Sequence, residues 1–204
     1  VSLAREVAGD SQYVMATAGP TGEVMQPLGL ETEDSFYEAF KEQCVAFENA
    51  GADIIIIETM TALEESAVAV RAAKENTDLP VIASFSFDPE VGGTYASMMG
   101  VDPKQFATQI VDENPDIVGT NCGTGPDHMI EIVKILHSHI QDRPLMAMPN
   151  AGMPEIENGK TVFKETPKQM AAKVPKLLQE GVSIIGGCCG TGAEHIRAIK
   201  NAVS

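Results

Sequence analysis

Short apolar runs alternate along this chain with longer stretches in which apolar residues recur every three or four positions. The sharpest run is Asp53-Ile54-Ile55-Ile56-Ile57-Glu58. Consecutive isoleucines leave no polar face, so the pattern predicts a parallel strand buried on both sides. Five other segments read the same way: Tyr13 to Ala16, Pro80 to Phe85, Ile117 to Thr120, Leu145 to Met148, and Ser183 to Ile185.

Between these runs the spacing predicts amphipathic helices. Phe36, Phe40, Cys44 and Phe47 share one helical face, as do Met129, Ile132, Val133, Leu136 and Ile140. Ser35 with Glu38, Thr61 with Glu64, Asp102 with Gln105, and Thr191 with Glu194 have capping-box spacing. Pro103, Pro126 and Pro167 stand where a first helical residue belongs. Gly51 and Gly181 stand just past expected helix ends. Pro175 falls inside the helix expected from Pro167 to Glu180, so a kink or break is predicted there.

Strand alternating with helix predicts an α/β fold with a parallel sheet. The strand runs named above make up six βα units. A closed (β/α)₈ barrel has eight, in about 250 residues. The chain therefore reads either as an open six-stranded sheet or as a barrel lacking its first two units. No linker, low-complexity stretch or repeat divides the 204 residues, which predicts a single domain over 1–204. The chain opens on Val1 rather than Met, which reads as a fragment or a processed chain.

Composition narrows the partners. Hydrophobic residues are 44% of the chain, enough for a sizeable core, and with no Trp that core must be built from aliphatic side chains and Met. A net charge of −15 repels phosphate backbones and anionic lipid, so nucleic acid and membrane surfaces are not expected partners. No apolar run approaches the ~20 residues of a spanning helix. The first residues carry no apolar signal core, so a cytoplasmic location is expected.

In parallel α/β folds ligands bind at the C-terminal ends of the strands. Three of the four cysteines, Cys122, Cys188 and Cys189, fall at such ends, and Cys44 falls on a helix face as a small buried hydrophobe. In a reducing compartment cysteines so placed point to metal binding or catalysis rather than to disulfides. Three soft thiolates suit Zn²⁺ and leave a fourth position open, the pattern of a catalytic site. Adjacent cysteines point to opposite faces of a regular strand. Gly186, Gly187 and Gly190 supply the conformational freedom to bring both onto one metal. The competing reading of this turn is a phosphate cup at a helix N-terminus, which needs no cysteines. His128 and His195 lie just inside helices and read as helix-start residues.

Gly119-Thr120-Asn121-Cys122 with Gly125-Pro126, and Gly186-Gly187-Cys188-Cys189-Gly190-Thr191 with Glu194-His195, resemble the two zinc-ligand motifs of the homocysteine S-methyltransferase family. Gly19-Pro20-Thr21-Gly22, Gly51-Ala52-Asp53 through Glu58-Thr59, and Pro149-Asn150-Ala151-Gly152 extend the resemblance through nearly the whole chain. The resemblance implies a (β/α)₈ barrel and zinc on Cys122, Cys188 and Cys189. It also implies Glu58 on the homocysteine amino group and Asn150 near the metal's open position. The implied reaction is methyl transfer to homocysteine, giving methionine, with the thiol activated as a zinc-bound thiolate. The donor is left open among methylcobalamin carried by another domain or protein, a betaine, and S-methylmethionine. The family's Asp-Gly motif on its first strand has no match before Tyr13. A second reading is therefore a non-catalytic zinc-binding fragment, or one part of a split enzyme completed by a polypeptide that supplies the remaining barrel units.

Overall fold

The computed structural model describes residues 1–140 and 143–203. Helix α1 (Ser2–Ala8) leads into β1 (Met15–Ala18), α2 (Glu33–Asn49), β2 (Ile54–Met60), α3 (Leu63–Asn76) and β3 (Val81–Phe85). A short hairpin of β4 (Asp88–Pro89) and β5 (Tyr95–Ala96) precedes α4 (Pro103–Ile110), a 3₁₀ turn (Val111–Glu113), β6 (Ile117–Asn121) and α5 (Pro126–His137). Then come β7 (Leu145–Met148), a second hairpin of β8 (Glu155–Glu157) and β9 (Lys160–Val162), α6 (Pro167–Gln179), β10 (Val182–Ile185) and α7 (Ala193–Val203).

The main sheet has six strands in the order β1-β2-β3-β6-β7-β10, and every pairing is parallel. The order never reverses, so right-handed crossovers set all the helices on one face. A doubly wound sheet reverses its order and takes helices on both faces. Packing agrees. One large cluster joins alternate strand residues such as Ile55, Ile57, Val81, Ala83 and Leu145 to helix residues such as Phe40, Val68, Phe106 and Ile132. On the other face Ile56, Ile82 and Met146 are fully buried among Met15, Ile54, Ile117, Met148 and Ile184, all of them on strands. A sheet face that buries itself without helices is the inside of a barrel wall. The molecule is thus an arc of a (β/α) barrel, which decides between the two folds expected. Its edge strands, β1 and β10, do not pair with each other among the described residues.

The isoleucine run alternates as its pattern requires, with Ile55 and Ile57 toward the helices and Ile54 and Ile56 toward the inside. Full burial of one such side chain contributes about 1.5–3 kcal/mol. The strand limits shift by a few residues. The first strand begins at Met15 rather than Tyr13, whose side chain is 85% exposed.

The helix ends follow the expected signals in part. Asp102 and Gln105 form the expected capping box, and Pro103, Pro126 and Pro167 open their helices. Gly51 and Gly181 take the left-handed conformation just past α2 and α6. The cap of α2 is Thr32 instead of Ser35, whose backbone N–H donates to the Thr32 hydroxyl. Thr61 does not cap α3, which starts after Ala62 without a side-chain cap. Thr191 turns its hydroxyl to the Cys188 carbonyl instead of capping α7. Helix α6 runs through Pro175 without a break. That residue lies on the exposed side, where water can take the orphaned carbonyl, while Val174 and Leu177 hold the buried side. Helix α1 and both hairpins carry no strong pattern and were not anticipated. Helix α1 is tied down by Arg5, which donates to the Gly51 carbonyl and the Asp53 carboxylate.

Candidate metal centre

The inner face of the sheet changes character along the strands. Inward positions run from Ile54 and Ile56 to Glu58 on β2, from Ile82 to Ser84 on β3, and from Ile117 to Asn121 on β6. A dry layer therefore supports a polar layer at the C-terminal mouth, and the three candidate cysteines stand at that mouth.

Asn121 faces inward, so a regular strand would turn Cys122 toward the helices. Cys122 instead adopts φ 61, and Gly123 follows at φ 65. This left-handed pair swings the thiol back over the mouth. A left-handed residue other than glycine costs roughly 1–2 kcal/mol. The surroundings hold it there: Cys122 N–H donates to the Met148 carbonyl at 3.2 Å, and its own carbonyl accepts from Thr124 N–H at 2.6 Å.

The second loop leaves β10 and is stitched to the turn after β7. Cys188 N–H donates to the Pro149 carbonyl at 2.9 Å, and Ala151 N–H donates to the Cys189 carbonyl at 2.9 Å. The Asn150 side-chain oxygen accepts from Cys189 N–H at 3.0 Å. The glycines act differently from expectation. Of the three, Gly190 alone has a positive φ, 78°. Gly186 and Gly187 make close approaches instead: a β-carbon would stand 2.7 Å from the Thr191 side chain at Gly187, and 3.0 Å from the flexible Met148 side chain at Gly186.

The two loops bring the sulfurs of Cys122, Cys188 and Cys189 to within 4.8 Å of one another. All three are free thiols, and the Cys122 and Cys189 sulfurs are 3.7 Å apart. Thiolates on tetrahedral zinc, each about 2.3 Å from the metal, stand about 3.8 Å from each other. The donor set and spacing thus fit the ion. The electrostatics of the cluster point the same way. Hydrogen bonding from Cys188 holds the Cys122 thiol down at about 5, against the opposing effect of its burial. The same hydrogen bond, with burial, pushes Cys188 up, and burial pushes Cys189 up. One thiolate is stable alone, and a cation is needed for the rest.

Glu58 ends the inward row of β2. Burial raises its carboxyl above the usual range, and the charge of Cys122 adds to the shift. Among the described residues nothing donates a hydrogen bond or ion pair to this carboxylate. Asn150 is 4% exposed and touches both loops, through Cys189 N–H and through a side-chain hydrogen bond to Cys122. Cys44 lies buried in the helix-side core, which pushes its thiol up to about 11. His128 contacts the Tyr95 hydroxyl, and His195 accepts from Gly192 N–H and donates to the Glu165 carbonyl. The backbone N–H groups of Cys188, Cys189, Thr191 and Gly192 are all bonded within the protein, which leaves a phosphate little to grip.

One residue of the site escaped the sequence reading. Asn121 is fully buried and bonds to Thr59, Ser84 and Cys188 at once. It stands in the Gly119-Thr120-Asn121-Cys122 motif, next to a candidate ligand, but nothing in the motif assigns it a role of its own.

A parallel barrel wall with three convergent thiols at its C-terminal mouth defines a class of thiol-centred barrel proteins. The family model for homocysteine S-methyltransferase matches residues 1–203, and the chain belongs to that family. It is 30% identical over 215 residues to methionine synthase of Mycobacterium tuberculosis (strain ATCC 25618 / H37Rv), a match covering 100% of this chain and 18% of that protein. Methionine synthase of Mycobacterium leprae (strain TN) is 28% identical over 214 residues, covering 99% and 17%. The chain thus spans less than a fifth of the length of these curated relatives. The fold is similar to that of the homocysteine methyltransferase MmuM from Escherichia coli. Its apo form superposes with TM-score 0.73 at 20% identity, covering 98% of this chain and 67% of that one. Its metallated form gives 0.71 at 21% identity, covering 98% and 64%.

Proposed function

We propose that residues 1–204 form the homocysteine-binding part of a zinc-dependent methyltransferase that makes methionine. The convergence of the Cys122, Cys188 and Cys189 sulfurs within 4.8 Å of one another, with the Cys122–Cys189 pair at 3.7 Å, carries this reading. Zinc bound by those three residues would supply a cation that keeps a substrate thiol in its nucleophilic thiolate form, with one coordination position open. The reaction is a displacement at carbon. The homocysteine sulfur gives up its proton and forms the S–CH₃ bond, and the donor leaves with the electron pair of the bond it loses.

Glu58 supports the substrate assignment. A half-buried carboxylate with no cationic partner among the described residues, beside the thiol centre, fits the ammonium of an amino acid. Asn150 bridges both cysteine loops and is proposed to lie at the open position when substrate is absent. The methyl donor is proposed to be methylcobalamin held by another domain or protein, on the likeness to methionine synthases. No described helix is long and apolar enough to cross a membrane, and free thiols suit the reducing cytoplasm. The unpaired edges of β1 and β10 offer the place where further βα units would close the wall.

Zinc assay of protein purified under reducing conditions tests the reading. It requires about one ion per chain, with loss in Cys188→Ser. Stoichiometry well below that, or unchanged zinc in the variant, refutes it. Glu58→Gln should weaken homocysteine binding at least tenfold by titration calorimetry, and unchanged affinity removes that role. Methylcobalamin, a betaine and S-methylmethionine offered in turn with homocysteine then identify the donor. Zinc uptake with no methylation by any donor identifies a binding module or a part of a split enzyme.

A further inference from the structure

We infer that Asn121 is the positioning residue that couples the thiol centre to Glu58, and that its side-chain N–H donates to the sulfur of Cys188. This inference rests on the metal-binding reading above and deepens it.

Thr59 is the starting point. It is β-branched, follows Glu58 directly, and has φ 59, a conformation such residues rarely adopt. The register of β2 against β3 slips between Ile57 and Met60, so Glu58 and Thr59 form an irregularity at the end of the strand. Asn121 holds that irregularity from 62 residues away. Its side-chain oxygen accepts from Thr59 N–H at 2.9 Å, and its amide nitrogen donates to the Thr59 hydroxyl at 2.7 Å.

The orientation of the amide follows from its partners. A backbone N–H can only donate, so the atom facing Thr59 N–H must be the oxygen. The Ser84 hydroxyl donates to the same oxygen at 2.7 Å. The nitrogen is thereby turned toward the Thr59 hydroxyl and the Cys188 sulfur, the latter at 3.9 Å. All four hydrogen-bonding positions of the amide are used, within a fully buried side chain. One side chain on β6 thus fixes the end of β2, touches β3, and orients a thiol from the loop after β10.

The consequence is chemical as well as structural. A donor to a ligating thiolate withdraws electron density from the sulfur and restricts where it points. The same amide sets the position of the carboxylate that would take the substrate ammonium. Metal geometry and substrate grip are therefore adjusted by one group.

Asn121→Asp separates this role from mere packing. The carboxylate keeps the acceptor for Thr59 N–H and Ser84, and the Thr59 hydroxyl can turn to donate, while the N–H toward Cys188 is lost. The readout is the sulfur-to-metal charge-transfer absorption of the Co(II)-loaded chain. The band should move to lower energy in Asn121→Asp, with one cobalt still bound, because the sulfur becomes easier to oxidise. Asn121→Ala releases Thr59 as well, and homocysteine affinity of the metal-loaded chain should fall at least tenfold. Where that variant fails to fold, Asn121→Ser serves for the same measurement. An unshifted band in Asn121→Asp overturns the bond to sulfur, and unchanged homocysteine affinity in the truncation overturns the coupling to Glu58. Wild-type chain that takes up neither cobalt nor homocysteine overturns the functional reading and this inference together. Wild-type binding beside unaltered variants overturns this inference alone.

Discussion

In the loop after β6 the cysteine itself takes the unusual backbone conformation, with Cys122 at φ 61 and Gly123 at φ 65. In the loop after β10, Cys188 and Cys189 keep ordinary negative φ, and Gly190 takes φ 78 on their behalf. The difference follows from where each loop starts. Cys122 comes directly after an inward-facing strand residue and must be turned by one position within a single peptide. The pair at 188 and 189 is separated from β10 by two glycines, so the chain has room to redirect before the first thiol. One loop carries strain in a proposed metal ligand, and the other places it in a glycine outside the proposed ligand set. The two should respond differently to substitution.

The largest effect is expected at Gly123→Ala. A β-carbon there would lie 2.2 Å from the Phe87 carbonyl oxygen, and φ 65 is unfavourable for alanine. Backbone cannot step aside cheaply, so a loss of roughly 3 kcal/mol or more is expected in urea unfolding, with loss of metal uptake. Gly190→Ala meets the Phe163 side chain at 2.3 Å with φ 78. The contacted atoms include the Phe163 β-carbon at 2.4 Å, so the backbone there must shift. Phe163 is partly buried and follows the exposed hairpin of β8 and β9, which can give as a unit, so about 2 kcal/mol is expected, with metal binding weakened but retained. Equal costs at the two glycines would show that the loops do not differ in the way described.

How much of this was legible beforehand depends on the kind of constraint. The isoleucine strand was legible because burial on both faces leaves no polar position to disguise the pattern. The convergence of the thiols was legible because all three cysteines fall just after strands, where a parallel wall gathers its loops. The polar layer below them was not. Asn121 matters because of a φ value at Thr59, 62 residues distant, which leaves no mark in composition or periodicity. The cap of α2 was misread for a related reason: Thr32 and Ser35 are both good caps, and backbone geometry alone selects between them. Gly181 was read as a helix end, yet it also faces His137, whose ring would stand 2.3 Å from a β-carbon, a contact invisible in sequence.

The comparison is sharpened next by Cys122→Gly against Cys188→Ala in the metal-free protein. Glycine relieves the left-handed position, so Cys122→Gly should stabilise the metal-free fold by about 1 kcal/mol. Cys188→Ala relieves nothing and should be neutral or slightly destabilising. Both should abolish stoichiometric zinc binding. Thermal unfolding of the two chelated variants checks this, and a destabilised Cys122→Gly would mean that the turn costs nothing as it stands.

The smallest effect concerns Glu58, which faces the strained loop and is raised chiefly by burial, then by the charge of Cys122. Folding therefore disfavours its ionised form. Below the unfolded carboxyl value of about 4.3 the group is protonated in both states and costs nothing. As pH rises from there through the elevated folded value, the unfolded chain ionises first, and the folded state loses stability that it does not recover at neutral pH. Glu58→Gln removes that cost. The metal-free variant should unfold at a slightly higher temperature than wild type at pH 7, and the two should converge near pH 4, where the wild-type carboxyl is largely protonated. On the proposed role the same substitution should weaken homocysteine binding, so stability and substrate grip should move in opposite directions. A variant less stable than wild type at pH 7 would mean that the carboxylate already has a partner in the free protein, and its assignment to the substrate ammonium would lose its physical basis.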